Sequence, residues 1–251
     1  MAAAAMTTEP RPTFHAAPFH TTRWTRVCLA KDESEDGRRA LSDLCNAYYE
    51  PVVAYLRSVL RDAEAGREMS HAFFAEMLAG GTIHTADPER GRFRFYLLGA
   101  VKHFVAHRRE AGLRLRRGGG VQPLSLDAEF PESPALNVPE EARLSPEAVF
   151  DRQWAITVLA RAMEALQAEC AEEGKSALFE QLRPWLLGES GYGDQAAAAA
   201  ALGLGAGAMK VAVHRMRHRF RQCVKTEIAG TLKDESAVED EMRSLLAALG
   251  G

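Results

Sequence analysis

Apolar residues recur along this chain at steps of three and four, and no stretch alternates with period two for long enough to require a strand. Leu41, Leu44, Cys45, Tyr48, Val52, Leu56 and Val59 keep helical spacing, with Pro51 inside the series. A proline is best placed in the first turn of a helix, so two helices are expected to meet near Glu50. A third helix is expected over 63–78, where Met69, Phe73 and Met77 lie four apart and Gly80-Gly81 marks the stop. A fourth starts near Gly91 and packs through Phe93, Leu97, Val101 and Phe104.

The pattern lapses and then resumes at Phe150 and Trp154, running through Ile156, Leu159, Met163 and Leu166 and again through Leu178, Leu182 and Trp185. Asp194 is a candidate N-cap for an alanine helix over 196–201, thin enough to pack closely on a neighbour. A glycine turn, Gly203-Leu204-Gly205, leads into a helix whose apolar face is Met209, Val213, Met216 and Phe220. Near the C-terminus Met242, Leu245, Leu246 and Leu249 form a last amphipathic stripe, suited to docking on this protein or on a partner.

The expected fold is all-α, with two small helical domains joined by a long acidic, proline-rich linker. The divisions are a disordered leader over 1–20, a first domain over 21–117, a linker over 118–149, a second domain over 150–228 and a C-terminal extension over 229–251. The linker is marked by composition: residues 121–150 hold five of the eleven prolines and six acids against Arg143 alone. Such a segment cannot bury a core by itself.

Charge narrows the function classes. At −3 overall, this chain of 251 residues is no polycation, so its positive charge has to act locally. Cys28, Cys45, Cys170 and Cys223 lie far apart without a CxxC spacing, which points to reduced thiols rather than a disulfide frame or zinc site. No apolar run approaches the roughly 18 residues of a membrane span. The opening MAAAAM lacks a basic region and a long apolar core. A cytoplasmic protein with no membrane contact is expected.

Two apparent chemistries fail on spacing and surroundings. Gly174-Lys175-Ser176 ends like a phosphate-binding loop, but Glu169 stands where that loop needs its first glycine, and the flanks are helical. His103 and His107 have metal-ligand spacing, yet Phe104 follows the first, and Lys102, Arg108 and Arg109 flank the pair and would repel a dication. No enzyme, cofactor or metal is expected.

Two local basic clusters remain. Residues 91–117 carry eight Lys or Arg against one acid, interleaved with Phe93, Phe95, Tyr96 and Phe104. Cations beside aromatic rings can hold a phosphate backbone while stacking unpaired bases. Phe93 and Phe104 belong to the apolar seam, so Phe95 and Tyr96 are the rings expected at the surface. Between Gly205 and Lys225 there are six Lys or Arg and no acid, and Lys210, His214, Arg217 and Arg221 form a stripe beside the apolar face. A cationic helix entered through a short glycine turn suits the second helix of a helix-turn-helix. The two clusters suggest DNA contacts at two separated places.

These residues resemble bacterial RNA polymerase sigma factors of the small, two-domain extracytoplasmic-function type, over roughly residues 21–247. AGREMSHAFF, from Ala65 to Phe74, is similar to the region-two helix written DLTQ-x-FF, with Glu68, Met69, Ser70 and His71 in the DLTQ positions. FRFYLLGAVKHFVAHRR resembles the helix that captures the −10 element, and LGLGAGAMKVAVHRMR the region-four helix-turn-helix that reads the −35 element. FHTTRW, RGGG and the tail after Glu227 resemble a subgroup with a longer linker and a C-terminal extension.

The resemblance implies that the first domain is a four-helix region-two domain. It would bind the clamp helices of the polymerase's largest subunit through Glu68, Met69, His71 and Ala72. It would hold −10 DNA with Phe95, Tyr96, Lys102, His103, Arg108 and Arg109. The region-four domain would hold −35 DNA with Gly205, Gly207, Lys210, His214, Arg215, Arg217 and Arg221, and would meet the flap of the second-largest subunit. Core RNA polymerase and promoter DNA are the implied partners, and an anti-sigma factor is one that the family admits. Departures are Glu68 and His71 in place of Asp and Gln, and Gly205 where Ser usually caps the recognition helix. Two rival readings stay open: a stand-alone helix-turn-helix regulator, and a nucleotide hydrolase using Lys175.

Overall fold

The computed structural model describes residues 24–32, 34–79, 83–87, 89, 91–117, 144–187, 194–229, 232 and 235–250, excluding the side chains of 24–26, 113–117, 187, 194–195 and 235. The expected leader, linker residues 118–143 and the Gly80-Gly81 stop lie outside the described residues. Every regular element among the described residues is helical. The α-helices are α1 (Trp24–Leu29), α2 (Glu35–Leu60), α3 (Ala63–Leu78), α4 (Phe93–Arg117), α5 (Pro146–Glu172), α6 (Ser176–Leu187), α7 (Asp194–Ala201), α8 (Ala206–Ala229) and α9 (Val238–Gly250).

Helix α2 organises the first half. It starts at Ser34, whose hydroxyl accepts a hydrogen bond from the Gly37 amide at 3.0 Å, and Glu35 and Asp36 complement the dipole in its first turn. The expected break at Pro51 does not occur: α2 is one continuous helix with Pro51 buried inside it. An interior proline removes one helical bond and costs about 3 kcal/mol. Leu44 and Tyr48 before it, and Val52, Val53 and Leu56 after it, are all nearly inaccessible, so packing on both sides outweighs that cost. Among the described residues the α-helices of this half are α1 to α4.

The turn into α3 is made by Arg61 in a left-handed conformation (φ 53°) and by Asp62, whose carboxylate accepts from the amides of Glu64 and Ala65 at 2.9 and 3.1 Å. The α3 helix then lies close along α2. A Cβ at Gly66 would stand 2.7 Å from Cγ of Arg57 and 2.9 Å from its Cα, so only glycine permits this approach. Helix α4 starts at Phe93 rather than Gly91, because Gly91 takes φ +106° outside the helix. Its seam is the expected one, with Phe93, Leu97, Val101 and Phe104 buried.

The second half is built on α5. Ser145 caps it by accepting from the Ala148 amide at 3.1 Å, and Pro146 sits in its first turn. Residues 146–149, expected in the linker, are thus the start of this helix. Phe150, Trp154, Val158 and Leu166 are buried along it. Helix α5 packs on α2 as well as on α8 and α9, so the buried side chains of both halves form one continuous cluster. The C-terminal stripe docks on the chain itself: α9 packs against α5 and α8, with Leu245 at 1 % exposure and Leu246 at 61 %.

Those two neighbouring leucines give a direct check on that docking. Leu245→Ala should destabilise the protein by about 2–5 kcal/mol in urea unfolding, and Leu246→Ala by no more than about 0.5 kcal/mol. Equal effects would show that α9 is not seated this way.

Candidate nucleic-acid interface

Helix α4 turns its apolar seam inward, which leaves Phe95, Lys102, His103, His107, Arg108 and Arg109 exposed on the rest of its surface. Phe95 is half exposed, as expected. Tyr96 is only partly so: its ring lies 5.8 Å from that of Phe93, and its hydroxyl shares a hydrogen bond with the Thr85 hydroxyl at 2.9 Å. Gly99 and Ala100 carry almost no side chain, so a groove opens between Phe95 and Tyr96 at one end and His103, His107 and Arg108 at the other. The Arg108 guanidinium lies 5.0 Å over the Phe104 ring, which holds its charge at the groove edge. His103 and His107 bring their Nε2 atoms within 3.1 Å. Among the described residues no group of three or more His, Cys, Asp or Glu is placed to hold a metal ion.

Several of the expected cations are engaged by the chain's own acids. Lys102 pairs with Glu147 at 2.7 Å; the shared hydrogen bond raises the ammonium pKa and lowers the carboxyl's. Arg94 is buried (4 % exposed) and donates to both carboxylate oxygens of Glu241, at 2.7 and 3.2 Å, and to Asp151. Arg92 pairs with Glu241 and donates to the Ser244 hydroxyl at 3.3 Å. The Arg94 guanidinium is also stacked between two rings, 4.3 Å from Phe95 and 4.5 Å from Trp154. Burial pushes the Asp151 carboxyl up, and the pull of Arg94 only partly opposes it. Sequence reasoning counted Arg92 and Arg94 as surface charge and missed this cluster. The signal was Glu241 itself, an acid four residues before Leu245 on the inward face of an amphipathic helix.

The four α3 residues expected to meet polymerase do not act alike. Glu68 and His71 are exposed, whereas Met69 and Ala72 are half-buried and pack against the core. His71 is held by Tyr49: the two rings stack at 5.9 Å and 20°, and Nε2 is 2.8 Å from the tyrosine hydroxyl. Leu78, at the end of α3, is half exposed.

A short turn joins α7 to α8. Gly203 takes φ +64°, its amide donates to Ala200 at 3.1 Å, and the Leu204 amide donates to Ala199 at 2.8 Å. This is the paired C-cap that only a residue tolerant of positive φ closes without strain. Asp194 is the first residue of α7, and its side chain lies outside those described. Gly205 stands at the N-cap of α8, accepting from the Met209 amide at 2.9 Å. A Cβ at Gly205 or Gly207 would meet nothing within 4 Å, so the first turn presents bare amides to an approaching anion. Met209, Val213 and Met216 are buried, while Lys210, His214, Arg215, Arg217 and Arg221 are exposed.

One of those five has a structural partner. Arg217 donates through Nε and NH2 to the Trp185 carbonyl, at 3.2 and 3.0 Å, and so ties α8 to the end of α6. Arg219, on the neighbouring face, is taken up by Glu169 and Glu173 at 3.1 and 2.9 Å. The Gly174-Lys175-Ser176 segment closes α5. Gly174 has φ +68°, the Lys175 amide donates to Cys170 at 2.7 Å, and the Lys175 ammonium pairs with Glu173 at 2.7 Å. Burial pushes the Cys45 thiol up to about 12 and that of Cys223 to about 11, so both stay protonated at neutral pH. None of the described helices is long and apolar enough to cross a membrane.

Arg217→Ala should lower stability by about 0.5–1.5 kcal/mol, the worth of its bonds to Trp185, whereas Arg221→Ala should stay within about 0.5 kcal/mol of the parent. Urea melts of the two variants check the difference, and a neutral Arg217→Ala would return that residue to the DNA-reading set. No protein-family model matches the chain, and no curated protein or solved structure matches it.

Proposed function

We propose that this chain is a dissociable initiation subunit of bacterial RNA polymerase, a two-domain sigma factor of the extracytoplasmic-function type. The observation that carries the reading is the pairing, in one chain, of two different cation-bearing surfaces. One is an aromatic, basic groove on α4, suited to an unpaired strand. The other is a helix-turn-helix with an exposed cationic face on α8, suited to a duplex.

In this reading Phe95 and Tyr96 stack bases of the non-template strand at the −10 element, while Lys102, His103, Arg108 and Arg109 hold its phosphates. Lys210, His214, Arg215 and Arg221 meet the −35 duplex, and Gly205 and Gly207 let the α8 N-terminus approach a phosphate. Arg217 positions α8 on α6 and reads a base only if it leaves Trp185. Glu68 and His71 contact the clamp helices of the largest polymerase subunit, with Met69 and Ala72 behind them. The flap of the second-largest subunit would meet the second domain. The protein would work in the cytoplasm, without a cofactor and without chemistry of its own.

Mixing the full chain with core polymerase should give a co-eluting complex that supports promoter-dependent run-off transcription from a genomic library. Failure of both would end this reading, and sequence-specific duplex binding in the absence of polymerase would favour a stand-alone regulator. Phe95→Ala should leave polymerase binding intact while weakening strand capture by about 1–3 kcal/mol. Permanganate reactivity at −10 measures this, and normal opening would show that the ring stacks on no base.

A further inference from the structure

The cations of α4, with Arg92 just before it, meet carboxylates delivered from the other half of the chain. Glu241 of α9 takes Arg92 and both sides of Arg94, Asp151 of α5 takes Arg94, and Glu147 of α5 takes Lys102. We propose that these carboxylates stand in for nucleic-acid phosphates, so that α9 with α5 forms an internal clamp that must release α4 before it engages single-stranded DNA. The inference rests on the function proposed above and concerns how that same surface is regulated.

A carboxylate and a phosphate offer an arginine fork the same thing, two oxygens for parallel charge-assisted bonds. Glu241 is fully buried and Arg94 nearly so, which means the anion site is closed to solvent and to any second anion while α9 is seated. The same contact covers the stacking ring. Arg94 lies 4.3 Å and Arg92 5.7 Å from the Phe95 centroid, so the guanidiniums that Glu241 holds occupy a face a base would use. Release of Glu241 therefore frees Arg92, leaves Arg94 held by Asp151 alone, and loosens the cover on the Phe95 face.

The clamp is built to let go. Helix α9 has 13 residues, a length at which an isolated helix is marginal in water. Its apolar anchorage is Leu245 with the half-buried Val238, Met242, Ala248 and Leu249, while Leu246 faces solvent. A short terminal helix held by few apolar groups opens at lower cost than the core. A buried ion pair roughly balances its own desolvation, so exchanging Glu241 for a phosphate needs no large driving force.

Fluorescence anisotropy of the full chain with a labelled single-stranded oligonucleotide of mixed sequence, across a salt series, tests the clamp. Glu241→Gln should bind about three- to tenfold tighter than the parent, and the slope of log affinity against log salt should steepen by about 0.7, the worth of one phosphate on Arg92, and by more where Arg94 also leaves Asp151. Asp151→Asn frees Arg94 from α5 alone and should move both readings the same way by less. It decides the matter if Glu241→Gln does not fold, as judged by circular dichroism. Folded variants that bind no tighter, with an unchanged slope, would show that α9 is only a structural staple and overturn the proposal. If parent and variants all ignore the oligonucleotide, with or without core polymerase, the nucleic-acid reading fails and the clamp falls with it. Tighter binding without promoter-dependent transcription keeps the clamp and removes the sigma assignment.

Discussion

A guanidinium cannot shed its proton to escape burial, so a fold that buries Arg94 is obliged to bring carboxylates to it. That obligation ties three distant parts of the chain together. Arg94 stands in the first turn of α4, Asp151 and Trp154 come from α5, and Glu241 comes from α9. Each has its own reason to be near, since the helices share one apolar core, but only the charge fixes their register. A leucine seam tolerates sliding by a turn, whereas a bidentate pair with both partners desolvated does not.

This arrangement explains how a chain of net charge −3 carries strongly basic helices. The acids are not spread evenly as a screening background. Glu147, Asp151 and Glu241 answer the first half of α4, and Glu169 and Glu173 answer Arg219 on α8. Among the described residues, Arg108 and Arg109 beside the groove and Lys210, Arg215 and Arg221 on α8 are left outward. Each surface is thus narrower than its count of basic residues implies, and the two differ in kind. One offers rings beside charge, the other charge alone.

Most helix positions were legible from apolar spacing, because each helix buries one face against a neighbour and that demand writes itself into every third or fourth residue. The seams of α4 and α8 and the Gly203 turn are cases in point. Pro51 was misjudged because a local preference worth about 3 kcal/mol was weighed without the packing on both sides of it. The start of α5 was missed because Pro146 and Glu147 look like linker until Ser145 is seen as a cap. At the candidate site Phe95 and the exposed cations were legible, since they stand off the seam, whereas Tyr96 is half-buried against the core. Which cations were already taken was not, because Arg94 and Glu241 are separated by 147 positions and no local spacing connects them. The bonds from Arg217 to Trp185 are hidden for the same reason.

The central claim is that one chain touches promoter DNA at two places through two different surfaces. Hydroxyl-radical footprinting of the protein with core polymerase on a selected promoter tests it most directly. The account predicts two separated protected patches: Arg221→Ala should weaken the upstream patch alone, and Phe95→Ala the downstream one alone. A single continuous footprint, or loss of both patches from either substitution, would contradict it.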